Sequence, residues 1–217
     1  MKIELTPKLR TAYPKAVFGS LTVRNVPNTR KNEALEERKR DLEERIREVY
    51  VDVDEDRTIQ GYNIFFKRWG RTYPIEFQIR TIKEGGGFPQ VSTLVDSMFL
   101  AELKNRYLTS GHDLDAIQGD LTFDVSEGGE RYLKLDGREQ ELRKNDVILR
   151  DEEWILASVL YGPARRTSIT PKTRNALYLA WYPYGMGGEL ITAHLNDILS
   201  NLRVVFKSIT SEIQIHR

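Results

Sequence analysis

Residues 94–119, LVDSMFLAELKNRYLTSGHDLDAIQG, decide how the rest of the chain is read. Leu94, Val95, Met98 and Leu103 recur at helical spacing, so a helix is expected from Val91 to about Tyr107. Thr109-Ser110-Gly111 has the composition of a turn. Directly after it, His112, Asp113 and Asp115 bring an imidazole and two carboxylates together. Strand-forming segments follow at Leu121–Val125, Tyr132–Leu135, Val147–Leu149, Trp154–Leu160 and Ala176–Trp181. Glu127-Gly128-Gly129 reads as a hairpin loop between the first two, and Asp136-Gly137 ends the second. A helix feeding a run of strands predicts an α+β fold, with mixed, largely antiparallel sheets packed with peripheral helices.

Working outward, Ala16–Val23 has strand composition inside a short α/β piece, and Pro27-Asn28 breaks it. Asn32 is placed to cap a helix reaching about Tyr50, with Leu35, Leu42, Ile46 and Val49 on one face. Glu36 with Arg40 and Glu43 with Arg47 are spaced as i,i+4 pairs. Its alternating charges read as a solvated face rather than an RNA-facing one. Asp52–Asp56 is acidic and lacks the glycine and closing glutamate of a calcium loop, so it reads as a linker. Ile59, Tyr62, Phe65, Phe66 and Trp69 form an aromatic helical face beside Lys67, Arg68 and Arg71. Such a stripe reads as core in preference to a base-stacking surface. Pro74 opens a further helix that Gly85-Gly86-Gly87 stops. Glu189–Phe206 is amphipathic, and Ile209–Ile215 alternates like an edge strand.

The bulk numbers narrow the function classes. The 33 basic and 32 acidic residues leave a net charge of +1, which argues against a uniformly basic nucleic-acid coat but permits a local patch. With 0 cysteines, disulfides, thiolate metal sites and cysteine nucleophiles are excluded. No metal signature, phosphate-binding loop or cofactor motif is found, and no apolar run approaches the ~20 residues of a membrane span. The reading is a soluble cytoplasmic protein, of a composition that also suits a thermophile.

From Leu94 onward the ordered blocks resemble the B3/B4 domain, the tRNA-editing and RNA-binding module of the phenylalanyl-tRNA synthetase beta subunit. Leu94-Val95-Asp96 opens the helix, and Asp113-Leu114-Asp115-Ala116-Ile117-Gln118-Gly119 matches the turn and its exit. Glu130-Arg131-Tyr132, Leu135-Asp136-Gly137, Asp146–Asp151 and Ile169–Leu177 match the later blocks in order. The resemblance implies one B3/B4-like domain over residues 1–217. Its core is at 88–179, with a helical extension at 28–87 and a closing helix at 189–206. No catalytic core for amino-acid activation fits in this length, so the chain resembles a freestanding relative of the module.

The resemblance also implies a chemistry, the hydrolysis of a wrongly attached amino acid from tRNA. The ester is already activated, so such a site places water rather than supplying a strong nucleophile. In the synthetase module a histidine before the turn and a glutamate on the later strand line the pocket. Here Ser110 stands at the histidine position, His112 lies two residues on, and Leu179 stands at the glutamate position. Ser158 and Tyr161 replace glycines of the module, and Gly162 remains.

The candidate catalytic residues are therefore His112 and Asp113, and the candidate pocket is Ser110, Gly111, Asp115, Ser158, Tyr161, Gly162, Asn175 and Leu179. His112 beside carboxylates suits acid–base work, while Asp113 and Asp115 equally suit a capped turn. Arg165, Arg166 and Thr167 suit RNA phosphate binding, or an exposed loop with surface ion pairs. The segment 182–188, with Tyr182, Tyr184 and Met186 among glycines, either covers a pocket or links a strand to the last helix. Three functions fit: a deacylase acting on aminoacylated tRNA in trans, a non-catalytic RNA-binding protein, or a small-molecule amino-acid binder. The oligomeric state stays open.

Overall fold

In the computed structural model, residues 1–48, 55–185 and 187–216 are described. Val49, Tyr50, most of the Asp52–Asp56 linker and Met186 lie outside them.

Two sheets face each other and helices close the sides. One sheet has the order β1-β4-β7-β8-β9. Its strands are β1 (Ile3–Leu5), β4 (Leu121–Val125), β7 (Val147–Arg150), β8 (Ile155–Ser158) and β9 (Gly162–Pro163). Only the β1–β4 pairing is parallel. The other sheet runs β11-β2-β10-β3, antiparallel throughout. It contains β2 (Val17–Arg24), β3 (Thr109–Asp113), β10 (Ala176–Tyr182) and β11 (Thr210–His216). A separate hairpin pairs β5 (Arg131–Leu133) with β6 (Glu139–Glu141). Every residue of β10 is buried, as expected of a central strand packed on both faces.

The helices form where the apolar spacing places them. They are α1 (Pro7–Ala12), α2 (Glu33–Glu48), α3 (Arg57–Lys67), α4 (Pro74–Lys83), α5 (Thr93–Asn105) and α6 (Gly188–Val205). Asn32 Oδ1 accepts the Ala34 and Leu35 N–H groups, and Asp56 Oδ1 those of Thr58 and Ile59, so each caps the helix that follows it. Asp56 is thus a helix cap and not part of a linker. The aromatic stripe of α3 is core: Ile59, Tyr62, Phe65 and Phe66 are buried. Gly61 lets this helix lie against β10, because an added Cβ would stand 2.1 Å from the Tyr182 hydroxyl. Lys39 on α2 is buried against Asp96 on α5 at 2.6 Å, which ties the helical extension to the helix that leads into β3. Glu36 pairs with Lys39 rather than with Arg40, which reaches Glu33 instead.

Three local expectations are corrected. Thr109-Ser110-Gly111 is strand, not turn, because its backbone groups pair with β10 in the register Thr109–Ala180, Ser110–Leu179 and Gly111–Tyr178. Sheet pairing satisfies those groups better than a solvated turn would. Gly128 and Gly129 do turn the chain at φ +92° and +91°, but β4 pairs with β7, so they are no hairpin loop. They lead into the separate β5–β6 unit. The strand expected over Trp154–Leu160 is shorter, since β8 ends at Ser158 and Trp154 is exposed.

Candidate functional site

A cavity of about 350 Å³ opens between the two sheets. Phe123, Val147, Leu149 and Ala157 form one wall; Ser110, Leu179 and Trp181 form the other. Ile75 and Gln78 of α4 and Phe99 and Glu102 of α5 close one side, and the turn from Val159 to Pro163 closes another. The lining is mostly apolar with a few convergent polar groups, the usual character of a small-molecule pocket.

Strand register brings together two positions that are far apart in sequence. Ser110 and Leu179 are cross-strand partners, and both line the cavity. Behind Ser110 lies a short polar chain. His112 Nε2 is 3.0 Å from Ser110 Oγ, and its Nδ1 is 2.8 Å from Thr167 Oγ1. His112 is fully buried, and that burial lowers its pKa to about 4, so the ring is neutral at physiological pH. It meets the cavity only through the serine hydroxyl.

Asp113 Oδ1 accepts the Asp115 N–H, and its Oδ2 accepts the Thr173 hydroxyl. Both Asp115 oxygens accept from Asn175 Nδ2 at 2.9 Å. These three residues lock the turn after β3 onto the approach to β10, and none lines the cavity. Gly111 is a packing position, where an added Cβ would meet Ile169 at 3.0 Å and Met98 at 3.2 Å. Ser158, Tyr161 and Gly162 line the cavity. Thr167 is buried on His112 rather than open to a phosphate. Arg166 donates to the Ala116 carbonyl and to the buried Asp151 carboxylate, and Arg165 is exposed with its backbone N–H on the Leu133 carbonyl.

Three further residues that the motifs do not mark, and one that they do, belong to this candidate site. Arg71 lines the mouth with its guanidinium 4.7 Å from the centre of the Tyr161 ring. Glu102 is buried in the wall, where desolvation raises its pKa to about 8, partly offset by the Thr109 N–H at 2.7 Å. A signal for it existed: Glu102 continues the Leu94–Met98 stripe at i+4, on the buried face of α5. Trp181 lines the cavity, and its indole N–H has no hydrogen-bond partner among the described residues. Asp146 is buried beside Ser158, whose hydroxyl donates to Asp146 Oδ2. It heads the Asp146–Asp151 block of the resemblance, though nothing in that block foretold its contact with Ser158.

The model of the B3/4 domain matches residues 71–183, more than half of the chain and wider at both ends than the 88–179 core expected from the motifs. The phenylalanine–tRNA ligase beta subunit of Mycoplasma genitalium is 30% identical over 67 residues, 31% of this chain and 8% of that protein. An N-terminal fragment of the phenylalanyl-tRNA synthetase beta subunit from Pyrococcus horikoshii superimposes with a TM-score of 0.51. It is 15% identical, and the match covers 98% of this chain and 50% of that fragment, a likeness of fold. The chain therefore spans a small part of one relative and half of the other. No helix among the described residues is long and apolar enough to cross a membrane.

Proposed function

This chain belongs to the B3/4 domain family, and from that premise we propose that it acts on tRNA, hydrolysing mischarged aminoacyl-tRNA in trans. The observation that carries the reading is the cavity. Ser110 and Leu179, which the resemblance aligns with the module's pocket histidine and glutamate, face it from paired strands. An aminoacyl side chain fits an apolar space of about 350 Å³, while Arg71 and Tyr161 at the mouth suit the charged and stacking end of the tRNA.

In this reading His112 is a positioning residue. Neutral and held by Thr167, it fixes the Ser110 hydroxyl where a water or the ester would lie. Asp113, Asp115 and Asn175 hold the turn that sets the β3 register. Leu179 in place of a carboxylate removes one polar partner from the wall. Selection of tyrosine by its hydroxyl would then need another group, because an apolar surface rejects or selects a hydroxyl weakly.

One observation favours a second reading, non-catalytic tRNA binding on the same fold. The imidazole is enclosed and the Asp113 carboxylate is committed to the turn, so neither reaches the cavity directly. The experiment is deacylation of a panel of mischarged tRNAs, beginning with tyrosine on the phenylalanine tRNA. Selective hydrolysis above the spontaneous rate is the expected result. Binding of tRNA without hydrolysis of any member would replace the deacylase reading with the binding one.

A further inference from the structure

We propose that Asp146 and Ser158 form a proton relay opening into the cavity, with Ser158 Oγ taking the proton of the attacking water. The inference rests on the deacylase reading and adds a catalytic pair to it.

The geometry comes from β7 and β8. Asp146 immediately precedes β7, Ser158 ends β8, and Ile148 and Ser158 are register partners. Asp146 is fully buried. Its Oδ2 accepts the Ser158 hydroxyl, and its Oδ1 accepts the Leu160 N–H at 3.3 Å. Ser158 Oγ in turn accepts the Tyr161 N–H at 3.0 Å. A serine hydroxyl has one proton and two lone pairs. Here the proton is committed to Asp146 and one lone pair to Tyr161, while the Tyr132 phenol, also beside the Ser158 hydroxyl, gives its own proton to the Gly162 carbonyl at 2.8 Å. The second lone pair remains for a donor in the cavity that Ser158 lines, and a water O–H is such a donor.

The electrostatics suit a base. Burial raises Asp146 to about 7, against the opposing pull of the Ser158 and Leu160 hydrogen bonds and of Arg71. The other titratable groups facing the pair are Tyr132 from β5 and Tyr13 from the end of α1; both sense the Asp146 charge and both are shifted up, chiefly by burial. Tyr161 stands beside Tyr132 under the Arg71 guanidinium. Glu102 lines the same cavity from α5 and Arg68 acts on Tyr13, so the buried acid titrates among phenols, two arginines and a second buried carboxyl.

The step balances without a co-reactant. The water oxygen adds to the ester carbonyl carbon. Its proton passes to Ser158 Oγ as the serine proton passes to Asp146 Oδ2. Collapse breaks the bond between the acyl carbon and the ribose oxygen, which takes the proton back along the same path. The products are the free amino acid and tRNA with its terminal hydroxyl restored.

The test uses the full chain and the mischarged tRNA that it hydrolyses, with rates taken from about pH 5.5 to 8 after subtraction of spontaneous hydrolysis. The wild-type rate should rise with pH through the titration of the acid. Ser158→Ala and Asp146→Asn should each fall about a hundredfold, the low end for acid–base catalysis, and lose that rise. Asp146→Asn risks folding, so Ser158→Ala, checked by thermal melting, carries the decision. A folded Ser158→Ala protein with the wild-type rate and pH rise overturns the relay alone. A wild-type protein that hydrolyses no member of the panel overturns the deacylase reading and the relay with it.

Discussion

Burial at Glu102 turns an ordinary helix residue into a titrating group with consequences for stability. Its folded-state pKa of about 8 lies above the usual carboxylate value. The folded protein therefore binds a proton that the unfolded chain has released. The resulting stabilisation is complete below the unfolded value, about 4.5, and is lost as pH rises through about 8. His112 and His194, which is buried in the middle of α6, act oppositely. Their folded values of about 4 and 3 lie below 6.5, so their contribution is complete above 6.5 and lost as pH falls. Between pH 6.5 and 8.5 the histidines add a small residual gain, the same in wild type and variant, and the loss belongs to Glu102 and Asp146. Urea titrations at both pH values should show Glu102→Gln losing less stability than the wild type, by up to about 1.4 kcal/mol per pH unit. Equal slopes would mean that Glu102 is ionised in the fold. At this scale the sequence marked His112 as special through its acidic neighbours. It did not reveal that those carboxylates turn to the loop while the ring turns inward to Ser110 and Thr167.

Among the elements, the α2–α5 contact has the sharpest energetic signature. Lys39 is buried with its ammonium on Asp96 Oδ2, Glu36 Oε1 and the Pro89 carbonyl. Asp96 in turn accepts the Val91 N–H at 3.0 Å and the Ser92 N–H at 3.4 Å, holding the start of α5. Removing one member leaves a buried charge without its partner, which costs about 3–5 kcal/mol. Lys39→Met should lower stability by that order in chemical denaturation, and Lys39→Met with Asp96→Asn should recover part of it. An unchanged midpoint for the single variant would show that the pair is solvated. The periodicity of α2 was legible, and so was its cap at Asn32. The lysine hidden on it was not, because a cation on an apparently wet face declares burial only when a partner helix covers it. The strand β3 carries the converse lesson. Thr-Ser-Gly favours a turn locally, yet pairing with the wholly buried β10 overrides that preference.

For the molecule as a whole, a net charge of +1 leaves recognition of a polyanion to a local patch. Lys67 and Arg68 are exposed next to Arg71 at the cavity mouth, with Arg68 lying 5.7 Å from the centre of the Tyr184 ring. Lys67→Glu with Arg68→Glu should weaken tRNA binding and reduce the slope of log affinity against log salt by about 0.7–0.9 for each phosphate no longer neutralised. Binding titrations at several salt concentrations measure this, and an unchanged slope would place the tRNA on another face. Apolar spacing and its breaks determined the α+β class, the helical extension and most of the strands, because burial periodicity is written residue by residue. The ordered blocks from Leu94 to Leu177 determined the family. Only the tertiary structure decided the site. Ser110 meets Leu179 through strand register, Ser158 meets Asp146 across adjacent strands, and Glu102 reaches the same space from a helix. Register, facing sheets and desolvation are properties of several segments at once, and no single stretch of sequence encodes them.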